Sequence, residues 1–299
     1  MPVVTCVGLA VADLVFSIEG TLEVGQKNFA GETRPMGGGP AANAAAAVAS
    51  LGGTANLISV LGGDLAADEI IEHLGNRGVS TAGIRRNRAS DSPQSVVIAD
   101  GDGERTIVNR TDERLWEGMP VVSASDIDGS DSVLVDLRWL DGATSAIEQA
   151  AEAGIPSVVD YDLTDVDTPD SVLQLASHVV FSEPALLRLT GLTDPLQAIE
   201  SVTSGSGFAG VTLGSRGVLW REGGQSHHID AFDVDVTNTL GAGDVFHGAF
   251  ALGLAEGRSI EDIIRWSSAA AAIKCTGRGA KDGFPTREDV TKLLEEPTT

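Results

Sequence analysis

Short apolar runs and amphipathic stretches alternate along the chain from residue 131 onward. Continuous apolar runs bounded by turn residues are typical of strands buried on both faces, and longer stretches with apolar residues at helical spacing are typical of helices. This pattern predicts strands at 131–139, 155–162, 178–183, 207–214 and 217–224, and helices at 141–154, 171–177, 184–191, 241–257 and 259–275. Such alternation with short connections predicts a mostly parallel sheet covered by helices on both faces.

The N-terminal part of the chain predicts further elements of the same kind. Residues 3–11 form an apolar run that predicts one buried strand, ended by Asp13. A glycine cluster then leads into an alanine-rich helix across 36–53. A strand at 55–63 and a helix at 64–78 follow, the helix having an acidic first turn and a glycine stop.

Two other segments do not fit a buried parallel core. Residues 14–35 alternate apolar and polar positions with interspersed glycine, as exposed strands do. Residues 92–109 predict two strands joined by a Gly-Asp-Gly turn, which is a hairpin. We therefore expect a single domain over 1–299 with a small sheet projecting from it, whose strands come from about 14–35 and 94–110.

Charge and composition narrow the class of protein. The 299 residues are 42% hydrophobic with a mean hydropathy of +0.08, and no apolar run is long enough to cross a membrane. Twenty basic residues stand against 43 acidic ones, a net charge of −23. Nucleic acids and anionic membranes bind basic protein surfaces, so neither is expected as a partner of this acidic chain.

The two cysteines, Cys6 and Cys275, lie far apart in apolar surroundings. This placement gives little support to a disulfide or a metal site, and it favours a reducing cytoplasm. The N-terminus begins with an apolar strand pattern and lacks the basic leader of a signal peptide. We therefore expect a cytoplasmic location.

The segment at 241–244 has the most informative chemistry. A small-residue turn at a helix start exposes backbone N–H groups at the positive end of the helix, which makes an anion site. Asp244 would repel that anion unless it has a function, such as taking the proton from a substrate hydroxyl during phosphoryl transfer. The alternative is an ordinary helix start with Asp as a cap.

A second glycine-rich segment lies near the N-terminus. Gly37, Gly38 and Gly39 would let a ligand approach the backbone, and the amide of Asn43 can bind a hydroxyl as donor and acceptor. Taken alone, the segment is better explained as a turn that starts a closely packed helix. The chain has no Walker A lysine motif, so a P-loop kinase is not supported.

Together, GGGPAANAAAAVASLG and NTLGAGDVFHGA resemble the two signature regions of the PfkB or ribokinase-like carbohydrate kinases. The resemblance covers nearly the whole chain. It implies a three-layer α/β/α domain with a mostly parallel central sheet, and a β-sheet lid over the sugar that often joins two subunits. It also implies an enzyme that uses ATP and Mg²⁺, acts on a small sugar and forms a homodimer through the lid.

The resemblance also implies roles for individual residues. Asp244 would be the catalytic base, and the anion hole would be formed by Gly241, Ala242 and Gly243. Sugar hydroxyls would be bound by Asp13, Gly38, Gly39 and Asn43. The motif TLGSRG would place four residues beside ATP: Thr212, Gly214, Ser215 and Gly217. It implies no dedicated metal ligands on the protein.

The chain departs from the family pattern in two places. The family usually has Asn-x-x-Glu where this chain has Ser182 and Ala185, so either the handling of magnesium and phosphate is weakened or Glu183 substitutes for the missing acid. Many members have an aspartate where this chain has Asn238. That aspartate often helps to hold a monovalent cation, so cation activation is in doubt here.

Three residues bear on the choice of sugar. Arg138 ends an apolar strand on the side where ligands bind in open α/β sheets, Asn109 ends the hairpin, and Lys27 lies in the first lid segment. If they converge, they would hold a tetrahedral anion on the sugar. Alternatively, Lys27 is an exposed strand residue, Arg138 pairs with a carboxylate and Asn109 caps a turn.

Six segments together resemble the branch of the family that phosphorylates 6-deoxy-6-sulfofructose: CVGLAVADLV, GGGPAANAA, DLRWLDGA, FSEPALLRLTG, GAGDVFHGA and AAIKCTGRG. The resemblance implies that Lys27, Asn109 and Arg138 hold the sulfonate while the 1-hydroxyl is phosphorylated. The alternatives are a kinase of fructose, fructose 6-phosphate or 2-keto-3-deoxygluconate, and a sugar- or nucleotide-binding regulator without catalysis.

Overall fold

A computed structural model of the protein describes residues 1–101, 105–164, 168, 170–202, 207–277, 279 and 283–296. Its strands, in chain order, are β1 (Val3–Val7), β2 (Val11–Ile18), β3 (Ala30–Gly38), β4 (Thr54–Gly62), β5 (Val79–Asn87), β6 (Gln94–Ala99), β7 (Arg105–Arg110), β8 (Ser132–Asp136), β9 (Ser157–Tyr161), β10 (His178–Ser182), β11 (Ala209–Thr212), β12 (Val218–Glu222) and β13 (Gln225–Ile229). They form two sheets.

The large sheet has nine of these strands in the order β13-β12-β11-β10-β9-β8-β1-β4-β5. Every pairing from β11 to β5 is parallel, and the two antiparallel pairings, β11 with β12 and β12 with β13, lie at one edge. The chain starts in the middle with β1, so strands are added on both sides. Ligands bind where such a strand order reverses, at the carboxyl ends of the central strands.

Helices cover both faces of the large sheet, as the alternation predicts. They are α1 (Pro40–Ser50), α2 (Leu65–Gly75), α3 (Ala124–Ile127), α4 (Leu140–Ala153), α5 (Asp170–Leu175), α6 (Glu183–Thr190), α7 (Pro195–Ser201), α8 (Ala242–Ala255), α9 (Ile260–Thr276) and α10 (Arg287–Glu295). Neighbouring strand residues enter different cores: Leu134 packs in the core with α1, α8 and α9, while Val133 and Val135 pack with α4. The predicted three layers are confirmed.

The small sheet, which we call the lid, has the order β3-β2-β6-β7. Strands β6 and β7 are the predicted hairpin, with Ala99 paired to Arg105. Residues 102–104 of its turn lie outside the described residues. Asp13, Ser95 and Asn109 are register partners on neighbouring strands, so their side chains share one face of the lid.

The prediction of one strand over 3–11 is wrong. β1 ends at Val7, and β2 begins at Val11 in the other sheet, so Asp13 lies inside a lid strand and does not end β1. The break falls at Gly8, where a Cβ atom would lie 2.2 Å from the Asp136 carboxylate. Hydrophobicity alone did not indicate this change of sheet, because both strands are apolar at this point.

Helices α1 and α8 pack unusually closely. Seven of the eleven residues of α1 are buried, and six of the seven are alanine. A Cβ atom on Gly248 of α8 would lie 2.4 Å from the backbone oxygen of Ala44 in α1. Small side chains therefore let the two helix backbones approach each other, which fixes the positions of both helix N-termini.

We expect Gly248→Ala to lower the free energy of unfolding by about 2 kcal/mol, because the new methyl group meets backbone that cannot move independently. Gly75→Ala in α2 is the matched control, since its Cβ would meet nothing within 4 Å and alanine favours a helix. Urea denaturation of both variants would measure the difference. Equal stability of the two would contradict the packing argument.

Candidate active site

The N-terminus of α8 holds an acid beside an exposed turn. Gly241 precedes the helix with φ 73°, a left-handed conformation that favours glycine. Gly243 is exposed, and Asp244 in the first turn is half-buried. The structure thus places an accessible small-residue turn next to a shielded carboxylate, as the sequence predicts.

Asn43 contacts this carboxylate from the neighbouring helix. Its Nδ2 donates to Oδ2 of Asp244 at 2.7 Å, although the two residues are 201 positions apart. Asn43 lies in the first turn of α1, whose preceding residue Gly39 has φ 96°. A Cβ on Gly39 would lie 2.4 Å from the oxygen of Leu9. Glycine is therefore required at position 39, where the chain passes close to the backbone that follows β1 and enters α1.

Burial raises the pKa of Asp244 to about 7, and the nearby Asp160 adds to this effect. The hydrogen bond from Asn43 and the charge of His247 act in the opposite direction. A carboxyl group that titrates near neutral pH can both accept and release a proton under physiological conditions. This is the property required of a general base.

Asp136 fixes the backbone beneath the site, and sequence reasoning missed it. Its carboxylate accepts hydrogen bonds from the backbone N–H groups of Leu9 at 2.8 Å, Ala41 at 3.0 Å and Arg138 at 2.8 Å. Burial raises the pKa of this carboxyl group, while the three donors lower it. The sequence shows only an acid at the end of an apolar strand, two residues before Arg138.

On the lid, Asp13 packs against the glycine cluster. A Cβ on Gly38 would lie 1.8 Å from Oδ2 of Asp13, so only glycine leaves room for this carboxylate. Burial raises the pKa of Asp13, and a hydrogen bond with Ser95 lowers it. With its single hydrogen, Ser95 donates either to Asp13 or to Oδ1 of Asn109, which lies 2.8 Å from the hydroxyl oxygen. The predicted residues Asp13 and Asn109 are thus joined through a serine that the sequence did not single out.

The other two predicted anion-binding residues lie elsewhere. Arg138 donates to Oδ2 of Asp162 at 3.2 Å and to the backbone oxygen of Leu163. Lys27 is exposed in the connection between β2 and β3. Within the described part of the chain, no hydrogen bond or ion pair joins Lys27 or Arg138 to Asn109.

The predicted nucleotide loop follows β11. It forms a 3₁₀ turn over Gly214–Arg216, between Thr212 and Gly217. Gly214 and Gly217 have φ values of 61° and 84°, and a Cβ on Gly217 would lie 1.9 Å from the oxygen of Ile229. The loop therefore needs glycine at both positions, while Ser215 is exposed at its tip.

Glu183, considered as a substitute for the missing family acid, pairs with Arg216 of the nucleotide loop. Its neighbour Ser182 donates to Oδ1 of Asp162 at 2.7 Å. The other departure, Asn238, accepts a hydrogen bond from Leu240 N–H at 2.8 Å and so shapes the turn before α8. Both departures thus have defined contacts at the edge of the site.

The described residues contain no cluster of three or more His, Cys, Asp or Glu side chains suited to a metal ion. Mg²⁺ in phosphoryl-transfer sites is commonly held by substrate phosphates with only one or two carboxylates. The open turns at Gly214 and Gly243, where a Cβ would meet nothing within 4 Å, leave space for phosphates. The residues present therefore fit a magnesium ion that is bound together with the nucleotide. No described helix is long and apolar enough to span a membrane.

Comparisons with known proteins agree with this geometry. The pattern of the pfkB family carbohydrate kinases matches residues 1–287. Ribokinase from Haemophilus influenzae is 28% identical over 97% of this chain and 98% of that protein. A solved structure from Agrobacterium tumefaciens is 36% identical, with a TM-score of 0.94 over 99% of each chain. The Arabidopsis thaliana ribokinase complexed with ribose and ATP is 27% identical, with a TM-score of 0.86 over 99% of each chain.

The predicted ribokinase-like fold, with its large mostly parallel sheet and separate lid, is confirmed by these matches. So are the enzyme class and the cofactors ATP and Mg²⁺. The match extends over both signature segments and nearly all of the chain between them. The chain therefore belongs to the pfkB family of carbohydrate kinases and is an ATP-dependent sugar kinase.

Proposed function

We propose that this enzyme transfers the γ-phosphoryl group of ATP to the 1-hydroxyl of 6-deoxy-6-sulfofructose. The observation that carries the reaction is Asp244, held by Asn43 beside the exposed turn at the start of α8. The substrate assignment rests on Arg138 at the carboxyl end of β8, together with Lys27 and Asn109.

In the proposed reaction, Asp244 takes the proton of the sugar hydroxyl while the hydroxyl oxygen bonds to the γ-phosphorus. The bond from that phosphorus to the bridging oxygen of ATP breaks, and ADP leaves with the bonding electrons. Backbone N–H groups at 241–243 lie at the positive end of α8 and stabilise the charge on the transferred group. Magnesium held with the nucleotide phosphates beside the turns at Gly214 and Gly243 would neutralise phosphate charge.

The sugar hydroxyls are assigned to the lid and to the start of α1. Asp13 offers a carboxylate that lies against Gly38, and Asn43 offers an amide that already touches Asp244. A hydroxyl bound between them lies next to the proposed base. We also assign the nucleotide phosphates to the loop at 212–217, whose glycines leave the backbone accessible.

A strongly acidic enzyme would repel the anionic end of a sugar unless cationic side chains lie where that end binds. The Arg138 side chain is 31% exposed and has five N–H donors, so its contacts with Asp162 and Leu163 leave donors available. Lys27 adds a mobile positive charge and Asn109 a neutral donor. The three would have to come together when the lid closes on the sugar.

A neutral sugar is the second candidate, and one observation favours it. Arg138 already pairs with Asp162, so a substrate without an anion would leave no unpaired charge there. Similar proteins include ribokinases and a probable fructokinase from Arabidopsis thaliana that is 28% identical. Ribose and fructose are therefore the appropriate competing substrates, beside fructose 6-phosphate and 2-keto-3-deoxygluconate.

Steady-state kinetics with these five sugars would test the substrate. We expect the highest kcat/KM with 6-deoxy-6-sulfofructose, and we expect Arg138→Ala to raise its KM by about tenfold or more, since a charge-assisted bond is worth roughly 1.5–3 kcal/mol. Arg265→Ala, on the exposed side of α9, is the control and should change neither constant. Turnover of another sugar without turnover of sulfofructose would refute the assignment.

Asp244→Asn should reduce kcat by about 10²–10⁴-fold while ATP still binds, because the amide cannot accept the proton. In the wild type, activity should rise as pH increases through about 7, since only the ionised carboxylate is a base. The raised pKa means that ionising Asp244 destabilises the fold as pH rises toward and through 7, so Asp244→Asn should melt higher than wild type at pH 8. Undiminished turnover in Asp244→Asn would show that Asp244 is not the base.

We also propose that two copies associate through the outer face of the lid. Leu14, Val96 and Val108 are 37%, 37% and 62% exposed there. They border a groove of about 760 Å³ between the lid and α2. An apolar face of this kind on a small sheet is typical of a protein interface.

Val108→Asp should convert the dimer to a monomer in light scattering after size-exclusion chromatography, because a charge would be buried at the interface. Val121→Asp, at a 47% exposed valine outside the lid, is the matched control and should leave the mass unchanged. A wild-type protein that is monomeric at micromolar concentration would contradict the proposal.

A further inference from the structure

His247 lies one helical turn after Asp244 on α8 and is 4% exposed. Its Nδ1 lies 2.8 Å from the backbone oxygen of Gly243 and 3.4 Å from Oδ2 of Asp160. Its Nε2 lies 3.3 Å from the backbone oxygen of Val180. Each nitrogen of this buried ring therefore faces oxygen acceptors.

These contacts determine which ring nitrogens of His247 are favoured to carry a hydrogen. A neutral imidazole carries a hydrogen on one nitrogen and a lone pair on the other. A ring with a single hydrogen would leave one nitrogen with its lone pair directed at oxygen atoms. That nitrogen would be either Nδ1, which faces Gly243 and Asp160, or Nε2, which faces Val180. A doubly protonated ring satisfies every contact, and Asp160 supplies the negative charge that a buried imidazolium needs.

We propose that His247 and Asp160 form a buried imidazolium–carboxylate pair whose opposite charges shift the ionisation of Asp244 in opposite directions, so that both are positioning residues for the base. The inference rests on the proposed role of Asp244. Neither residue needs to touch the sugar or ATP. The positive ring favours the ionised form of Asp244, and the carboxylate of Asp160 opposes it.

Other groups around the pair act on its charge. Burial raises the pKa of Asp160 most strongly, and the charges of Asp162 and Asp136 raise it further. Arg138 lowers it. Burial holds the pKa of His247 below its usual value, although Asp244, Asp162 and the oxygens of Gly243 and Val180 act in the opposite direction. Burial thus opposes ionisation of both members, and the acceptors at both ring nitrogens favour it.

Because His247 and Asp160 carry opposite charges in the proposed pair, replacing each one should move the pH profile of the enzyme in a different direction, and this tests the proposal. His247→Asn removes the positive charge, and its amide can still donate to Gly243, so the acidic limb of the kcat/KM profile should move to higher pH. Asp160→Asn removes the negative charge, so the limb should move to lower pH. We expect shifts of about one pH unit, and a double variant close to wild type.

The matched controls are Lys292→Gln and Glu288→Gln. These residues form an exposed pair on α10, so each variant changes the net charge by the same amount without touching the site. Neither should move the profile. Shifts of His247→Asn and Asp160→Asn in the same direction, or no shift in either, would overturn the proposal and leave a structural role for the pair.

A second measurement does not require an active variant. In wild-type protein with ¹⁵N-labelled histidine, one imidazole should show both nitrogens protonated between pH 6 and 9, and His247→Asn should remove that signal. A His247 ring with a single hydrogen would refute the ion pair. If Asp244→Asn kept full turnover while the doubly protonated signal was present, the role of Asp244 would fail and the pair would stand.

Discussion

The rest of the site depends on the close contact between the backbones of α1 and α8. Alanines on one helix and Gly248 on the other allow it, and it brings Asn43 to Asp244 from 201 residues away. A larger side chain in this contact would separate the two helix N-termini. The proposed sites for the sugar hydroxyls and for phosphate are therefore held together by small residues that let the two helix backbones approach, as well as by the hydrogen bond from Asn43 to Asp244.

The second general feature is the concentration of acid beneath the site. Asp136 and Asp160 are 2% and 4% exposed, close to Asp244. Such groups destabilise a fold unless donors satisfy them. Three backbone N–H groups do so for Asp136, and Nδ1 of His247 lies 3.4 Å from Oδ2 of Asp160. The acidic groups that raise the pKa of Asp244 are thus part of the structural core.

The sequence predicted the layers, the hairpin and both glycine-rich turns, because periodicity and glycine placement are local signals. It did not predict the change of sheet after Val7, because β1 and β2 are both apolar there. It also missed β5, β13 and α10. Asp136, Ser95 and His247 escaped notice for a different reason: their importance lies in partners 14 to 127 residues away, which no local pattern shows.

The serine between Asp13 and Asn109 has a further consequence, because a hydroxyl has only one hydrogen. When Ser95 donates to Oδ1 of Asn109, the NH₂ group of that amide points away from Ser95, and Asp13 is left to accept from another donor. When Ser95 donates to Asp13 instead, Asn109 has to rotate and present its oxygen, which repels an anion. The direction of one hydrogen thus links the polarity of Asp13 and Asn109, the two lid residues proposed to bind the sugar.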